Sequence, residues 1–311
     1  MRKSALNAVH QLAQQDERVV FVGSDLGAGT LEPMREEMPE RFFMEGISEQ
    51  HIIGMAAGLA MEGYIPYVNT IATFLTRRCL EQIAVDLCMH NLPVRLIGNG
   101  GGVVYAPLGP THTATEDIAL MRVLPEMTVI APCDADEIKR LMPQTLEWPG
   151  PLYIRLAKGG DEIVSQAEAG STIGEALLMR EPGRVLLLST GIMTQRALQA
   201  AELLAAKGIN TGVLHCHTVK PLDIKQLLAL LSGIELLVTL EEHTLAGGFG
   251  SSVIELLSDS LQPLPPVLRM GLPDRYNGGY GSQNHLLTSA GLDAVDIARQ
   301  VAQRINGDAP A

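Results

Sequence analysis

The sequence predicts an α/β protein of two doubly wound domains, a mainly parallel-sheet domain followed by a smaller α/β domain. Three observations carry this. Short apolar runs of about four to seven residues alternate with stretches of helical period, the alternation breaks between residues 157 and 184, and it then resumes in the same order. A repeated strand–helix–strand order builds parallel sheets, because each crossover must carry the chain back to the starting edge. At 311 residues the chain has room for two cores of about 150 residues each.

Taken in order, an N-terminal helix precedes the strand "VVFVGS". Glu49 then opens a helix of small and apolar residues, with Ser48 placed to cap its first turn. "IPYVNT", "PVRLIGN", "MTVIAP" and "PLYIRL" read as strands, with helices through "TFLTRRCLEQIAVDLCMH" and "DADEIKRLMPQTLEW". These elements make residues 1–156 the first domain. Residues 157–184 carry charge and glycine without a sustained strand pattern and read as a linker. The second domain, 185–311, starts with "VLLLST" and alternates helices with the strands "INTGVLHC", "IELLVTLEE" and "PVLRMG" before the closing helix "DAVDIARQVAQRI".

Composition excludes several classes. With 46% hydrophobic and 19% charged residues the chain is expected to fold throughout. A net charge of −12 argues against nucleic acid, whose binding needs clustered Lys and Arg. The longest apolar stretch, Ile52 to Met61, is about half a membrane span, and the start lacks an apolar signal core, so a cytoplasmic protein without a membrane partner is expected. Four cysteines without C-x-x-C spacing predict buried free thiols.

Several residues are candidates for chemistry. Glu49 is either a carboxylate favoured by the helix dipole or a functional acid in an apolar setting. Phe74, in a strand-to-helix loop, is either core packing or a platform for a planar heterocycle. Arg77 and Arg78 follow within a turn and are ordinarily solvated, although one could reach an anion. The glycine-rich loop "GGGVVYAPLGPTHTATED" carries His112, a residue type that moves protons near neutral pH. Arg155 ends "PLYIRL" on the same expected edge, where its guanidinium could hold a phosphate. His215, His217 and His243 lack ligand spacing, so no metal site is expected. "GGFGSS" reads as a tight turn into a helix.

Three spacings coincide: "GISEQH", then "ATF" with Phe74 placed 25 residues after Glu49, then "GPTH" with His112 placed 38 residues after Phe74. Together with "PCDADE", "EEHTLAGGFGS" and "GLPDRYNGGYGSQ", they resemble transketolase and its relative deoxyxylulose-phosphate synthase, from about Val19 to the last helix. The resemblance implies a thiamine-diphosphate pyrimidine-binding domain followed by a transketolase C-terminal domain. Glu49 would bond the aminopyrimidine N1′, Phe74 would stack on its ring, and Asp25 and Arg77 would lie on the cofactor side. His112 would bind donor hydroxyls and move protons, and Arg155 would grip the substrate phosphate. The implied activity is transfer of a two-carbon ketol unit from a ketose, a phosphate ester in the family's usual substrates, to an aldose through a cofactor carbanion.

Two departures unsettle the substrate. Leu108 stands where transketolases usually place an Asp, and Arg77 replaces a second aromatic, as in the synthases. A pyruvate-using synthase or a 2-oxo-acid dehydrogenase β-type subunit is the first alternative, although dehydrogenases read "HHSQ" where this chain has "THTA". A non-catalytic regulatory or scaffold subunit is the second. The Gly-Asp-Gly and downstream Asn that hold Mg²⁺ and diphosphate in the family are absent; "GGD" at 159–161 lies in the linker. A partner, the N-terminal transketolase subunit, would therefore carry the metal, in an α2β2 heterotetramer.

Overall fold

The computed structural model describes residues 1–24, 31–276 and 279–307 and shows two mixed, mainly parallel sheets covered by helices. In chain order the strands are β1 (Val19–Ser24), β2 (Phe42–Glu45), β3 (Ile65–Ile71), β4 (Arg95–Asn99), β5 (Thr128–Ile130) and β6 (Leu152–Leu156). There follow β7 (Leu177–Arg180), β8 (Val185–Ser189), β9 (Thr211–His215), β10 (Thr218–Lys220), β11 (Leu236–Thr244) and β12 (Val267–Leu272). The first sheet has the order β10-β5-β6-β4-β3-β1-β2 and the second β12-β11-β8-β9-β7. All neighbours are parallel except β10 against β5 and β7 against β9.

Helices on both faces bury β1, β4, β6, β8 and β9 along their whole lengths, which is why these strands read as unbroken apolar runs. The two hydrophobic clusters do not divide by domain. One joins Leu6, Ile97 and Ile154 to Leu187, Val238 and Ile297, and the other joins Ile52 and Leu96 to Leu186 and Leu237.

The expected fold class stands, with three strands added to it. β2, β7 and β10 have only three or four residues each, and β7 and β10 take their direction from the strand they meet. β10 belongs to the second half of the chain yet completes the first sheet, with Thr218 opposite Ile130. The segment read as a linker is docked. Asp134 accepts from the Val164 and Ser165 amides at 2.8 and 2.6 Å, and Gln144 bonds Ser171 and Ile173 across the same surface. Its last residues form β7, whose Leu177 and Leu178 pair with His215 and Leu214.

The helix expected from Thr73 to His90 is broken. It stops after Ala72–Thr76, where the Thr76 hydroxyl donates back to the Ala72 carbonyl, and restarts at Leu80–Gln82 before a π turn at Ile83–Cys88. Among the described residues no helix is long and apolar enough to cross a membrane.

Candidate active site

The carboxyl ends of β1, β3, β4 and β6 share one edge of the first sheet, and three connections meet there. The first leads into the helix Glu49–Met61. Ser48 is its N-cap residue, but the side chain makes no capping bond; Ser48 Oγ instead donates to the Gly46 carbonyl at 3.3 Å. Ser24, at the end of β1, donates to the same carbonyl at 2.8 Å and so ties the helix start to the sheet.

Glu49 is only 1% exposed. Its Oε2 accepts from Arg78 Nη1 at 2.5 Å, while its Oε1 is buried without a partner among the described residues. A buried carboxylate oxygen without a donor is costly; Asp117 Oδ1 and Glu137 Oε1 are in the same state, and Glu49 differs in that the cation paired with it is exposed.

The second connection is the helix Ala72–Thr76 after β3. Helical spacing pairs Thr73 with Arg77 and Phe74 with Arg78. Arg77 Nε donates to the Thr73 hydroxyl at 2.7 Å, its Nη2 to the Thr113 carbonyl at 3.0 Å, and it pairs with Glu116 at 2.9 Å. Arg77 is thus a tether for the third connection. Arg78 lies over the half-buried Phe74 ring, 4.5 Å from its centroid.

The third connection is the glycine-rich loop after β4. His112 stands with its ring 5.1 Å from that of Phe74 at an interplanar angle of 67°, and its Nδ1 bonds the Thr111 hydroxyl at 2.9 Å. The glycines of this loop serve the interface with the second domain. A Cβ on Gly101 would sit 2.5 Å from Arg155 Nε, and Gly102 combines a φ of +66° with a backbone pressed on the Glu242 carboxyl.

Glu49, Phe74 and His112 therefore come together, joined by Arg78, with Arg77 one shell behind. Arg155 does not join them. It is 6% exposed, with Nε donating to Asp117 at 2.8 Å and Nη2 to the Glu242 carbonyl at 2.8 Å. Tyr153 donates to the same Asp117 oxygen at 2.8 Å. Burial opposes the charge on Arg155, and Asp117 more than restores it. Arg155 also lines a narrow crevice together with Gly101, Pro132, Gly191 and Glu242. Asp25 lies outside the described residues.

Sequence spacing missed a second buried group. Cys133, Glu137 and His215 bring their donor atoms within 4.8 Å of one another, all buried. Glu137 Oε2 accepts from the Cys133 amide at 2.6 Å and pairs with His215 Nε2 at 2.9 Å. Burial would raise the Glu137 carboxyl, but His215 brings it down to about 2. His217 is lowered to about 4 by burial, with His215 adding to the shift. With both bonds on one oxygen, this group is a buried hydrogen-bonded pair fastening the helix Ala135–Leu141 to β9. Two amides of "GGFG" are likewise occupied: Glu241 accepts from Phe249 and Gly250 at 2.6 and 3.0 Å, and burial pushes Glu241 up to about 7 although those amides oppose it.

Comparison with known proteins fits this geometry. Residues 1–160 match the transketolase pyrimidine-binding domain and 174–297 the transketolase C-terminal domain. The chain is 36% identical to the 6-deoxy-6-sulfo-D-fructose transketolase subunit SqwH of Clostridium sp. (strain MSTE9), over 98% of this chain and 95% of that protein. It is 38% identical to 1-deoxy-D-xylulose-5-phosphate synthase of Synechococcus sp. (strain JA-3-3Ab), over 95% of this chain but 46% of the synthase, so it spans about half of such relatives. A solved structure described as "Split gene transketolase, inactive beta4 tetramer" superposes with a TM-score of 0.87 at 34% identity, covering 97% of both chains.

Proposed function

This chain belongs to the transketolase family, and from that premise we propose that it is the pyrimidine-binding and C-terminal subunit of a two-subunit transketolase. The reaction is transfer of a two-carbon ketol unit from a ketose to an aldose with thiamine diphosphate. The observation that carries the reading is that one guanidinium, Arg78, touches both Glu49, whose buried Oε1 is partnerless among the described residues, and the Phe74 ring, a carboxylate and an aromatic face suited to a planar nitrogen heterocycle. The near end-to-end match to a relative named a subunit and to one described as split gene supports the two-subunit form.

When bound, thiamine diphosphate supplies the electron sink for carbon–carbon cleavage. The residues of this chain do the rest. Glu49 Oε1 would hold a proton to share with the ring nitrogen N1′, on a helix whose Ile52, Ile53 and Ala56 are buried in the core. Phe74 orients the ring by stacking. His112, at the edge of Phe74, binds donor hydroxyls and relays a proton, while Arg77 fixes the loop that carries it. For Arg155 the two committed nitrogens favour an interdomain strut, leaving Nη1 as the atom for a substrate phosphate. The partner subunit supplies Mg²⁺ and the diphosphate site, in an α2β2 heterotetramer working in the cytoplasm.

The test is ketol transfer from a ketose phosphate or a 6-sulfonated ketose to an aldose, with thiamine diphosphate and Mg²⁺, for the chain alone and mixed with an N-terminal transketolase subunit from the same organism. Activity in the mixture alone is the expected result. Identity of 38% to the synthase favours a second reading, in which the mixture consumes pyruvate and transfers no ketol group.

A further inference from the structure

Arg78 makes two contacts, and both fall on groups that the proposed function gives to the cofactor. Its Nη1 lies 2.5 Å from Glu49 Oε2 and its guanidinium carbon 4.5 Å from the Phe74 centroid. A guanidinium is flat, delocalised and rich in N–H donors, so it offers a carboxylate and an aromatic face much what an aminopyrimidine offers them. We propose that Arg78 is the keeper of the pyrimidine seat: it occupies Glu49 and covers Phe74 before the cofactor arrives, and binding displaces it. This rests on the reading of Glu49 and Phe74 given above.

The surroundings fit a side chain that leaves. Arg78 is 41% exposed and Glu49 1%, so the arginine is the partner with solvent to move into. Its neighbour Arg77 is held by Thr73, Thr113 and Glu116, whereas among the described residues the Arg78 side chain has the ion pair and the ring contact alone. The Arg78 backbone is pinned, because its carbonyl accepts from Gln50 Nε2 at 3.1 Å. A fixed backbone under a free side chain lets the guanidinium swing without moving the helix. His112 meets the Phe74 ring in a T-shaped contact with centroids 5.1 Å apart, whereas the Arg78 guanidinium lies over the ring, on the surface that a stacking heterocycle would need.

The pair is also incomplete. Arg78 satisfies Oε2 and leaves Oε1 without a donor, so an incoming ring that serves Oε1 and stacks on Phe74 outcompetes it. In the meantime the guanidinium keeps a buried carboxylate from being left alone with its charge, which lets the chain stay folded while it waits.

The experiment is equilibrium dialysis of thiamine diphosphate with Mg²⁺ against the assembled complex, comparing wild type, Arg78→Ala, Arg78→Gln and Glu49→Gln, with melting temperatures taken with and without cofactor. If binding must break the pair, Arg78→Ala binds cofactor roughly 3- to 10-fold more tightly, the scale of a half-exposed ion pair. Its cofactor-free melting temperature falls, its cofactor-bound one does not, and Arg78→Gln, which keeps a donor for Glu49, lies between. Equal or weaker binding by both Arg78 variants, with wild type binding normally, overturns the keeper and makes Arg78 a lasting ligand or an ordinary surface pair. A wild-type complex that binds no cofactor, or a Glu49→Gln complex that binds as well as wild type, overturns the site reading, and the keeper with it.

Discussion

At the seam between the domains Arg155 gives one nitrogen to Asp117 at 2.8 Å, and at the open end of the first sheet Arg78 gives one to Glu49 at 2.5 Å. The chemistry is the same and the setting is opposite. Arg155 is sealed, with a second bond to the Glu242 carbonyl and Tyr153 sharing its carboxylate. Each carboxylate keeps its other oxygen without a partner among the described residues, so the contrast lies in the arginine: Arg78 is open to solvent and Arg155 is not. Burying both members makes an ion pair part of the architecture; burying only the acid makes it exchangeable. The seam holds the two halves in register, and the open end is left able to accept something else.

The largest effect belongs to the open end. Glu49→Gln should lower turnover of the assembled enzyme by about 10² to 10⁴, the scale of a lost proton-sharing group, with little change in the urea midpoint of the chain. A variant that keeps wild-type turnover would remove Glu49 from the chemistry. The seam should show the reverse. Asp117→Ala leaves Arg155 buried without its carboxylate, and a loss of about 3–5 kcal/mol in unfolding free energy is expected from urea titration. A loss under about 1 kcal/mol would put the seam in the same class as a surface pair.

A smaller effect concerns acid. The unfolded chain takes a proton on His217 below about 6.5, the folded chain only below about 4, so stability falls as pH drops through that window. Glu241 works the other way, since its raised carboxyl favours the folded state as pH falls from about 7. Comparing wild type with His217→Gln between pH 7 and 5 isolates the histidine. The variant should escape an acid loss on the order of 2 kcal/mol, and equal losses in both would refute the buried neutral His217. The smallest effect is at the rim: Arg184→Ala, which removes a two-pronged but exposed pair with Glu235, should leave the urea midpoint unmoved.

The sequence showed the sheets better than the seam. β1, β4, β6 and β8 announce themselves because helices cover both faces and every position must be apolar. β2, β7 and β10 are invisible by the same logic: three or four residues carry no period, and their pairing is chosen by distant strands. The meeting of Glu49, Phe74 and His112 followed from their spacing in a known pattern. The sequence reads Arg78 as ordinarily solvated or reaching an anion, although its place four residues after Phe74, just past a short helix, is a signal for stacking. Arg155 was expected in the open because nothing local reveals that Glu242, 87 residues later, closes over it. The Glu137–His215 pair spans 78 residues and leaves no local trace either.

The strand β10 carries a consequence for how the protein is made. The first sheet ends at β5 until Thr218–Lys220 arrives, and β5 is flanked on that side by nothing else of its own half. At about 5–20 residues per second, the ribosome needs on the order of 3–12 s to pass from Leu156 to Thr218, and for that interval β5 presents bare amides and carbonyls to its surroundings. The first half of this chain therefore leaves the ribosome unfinished, and the last strand to join its sheet is delivered by the half that follows.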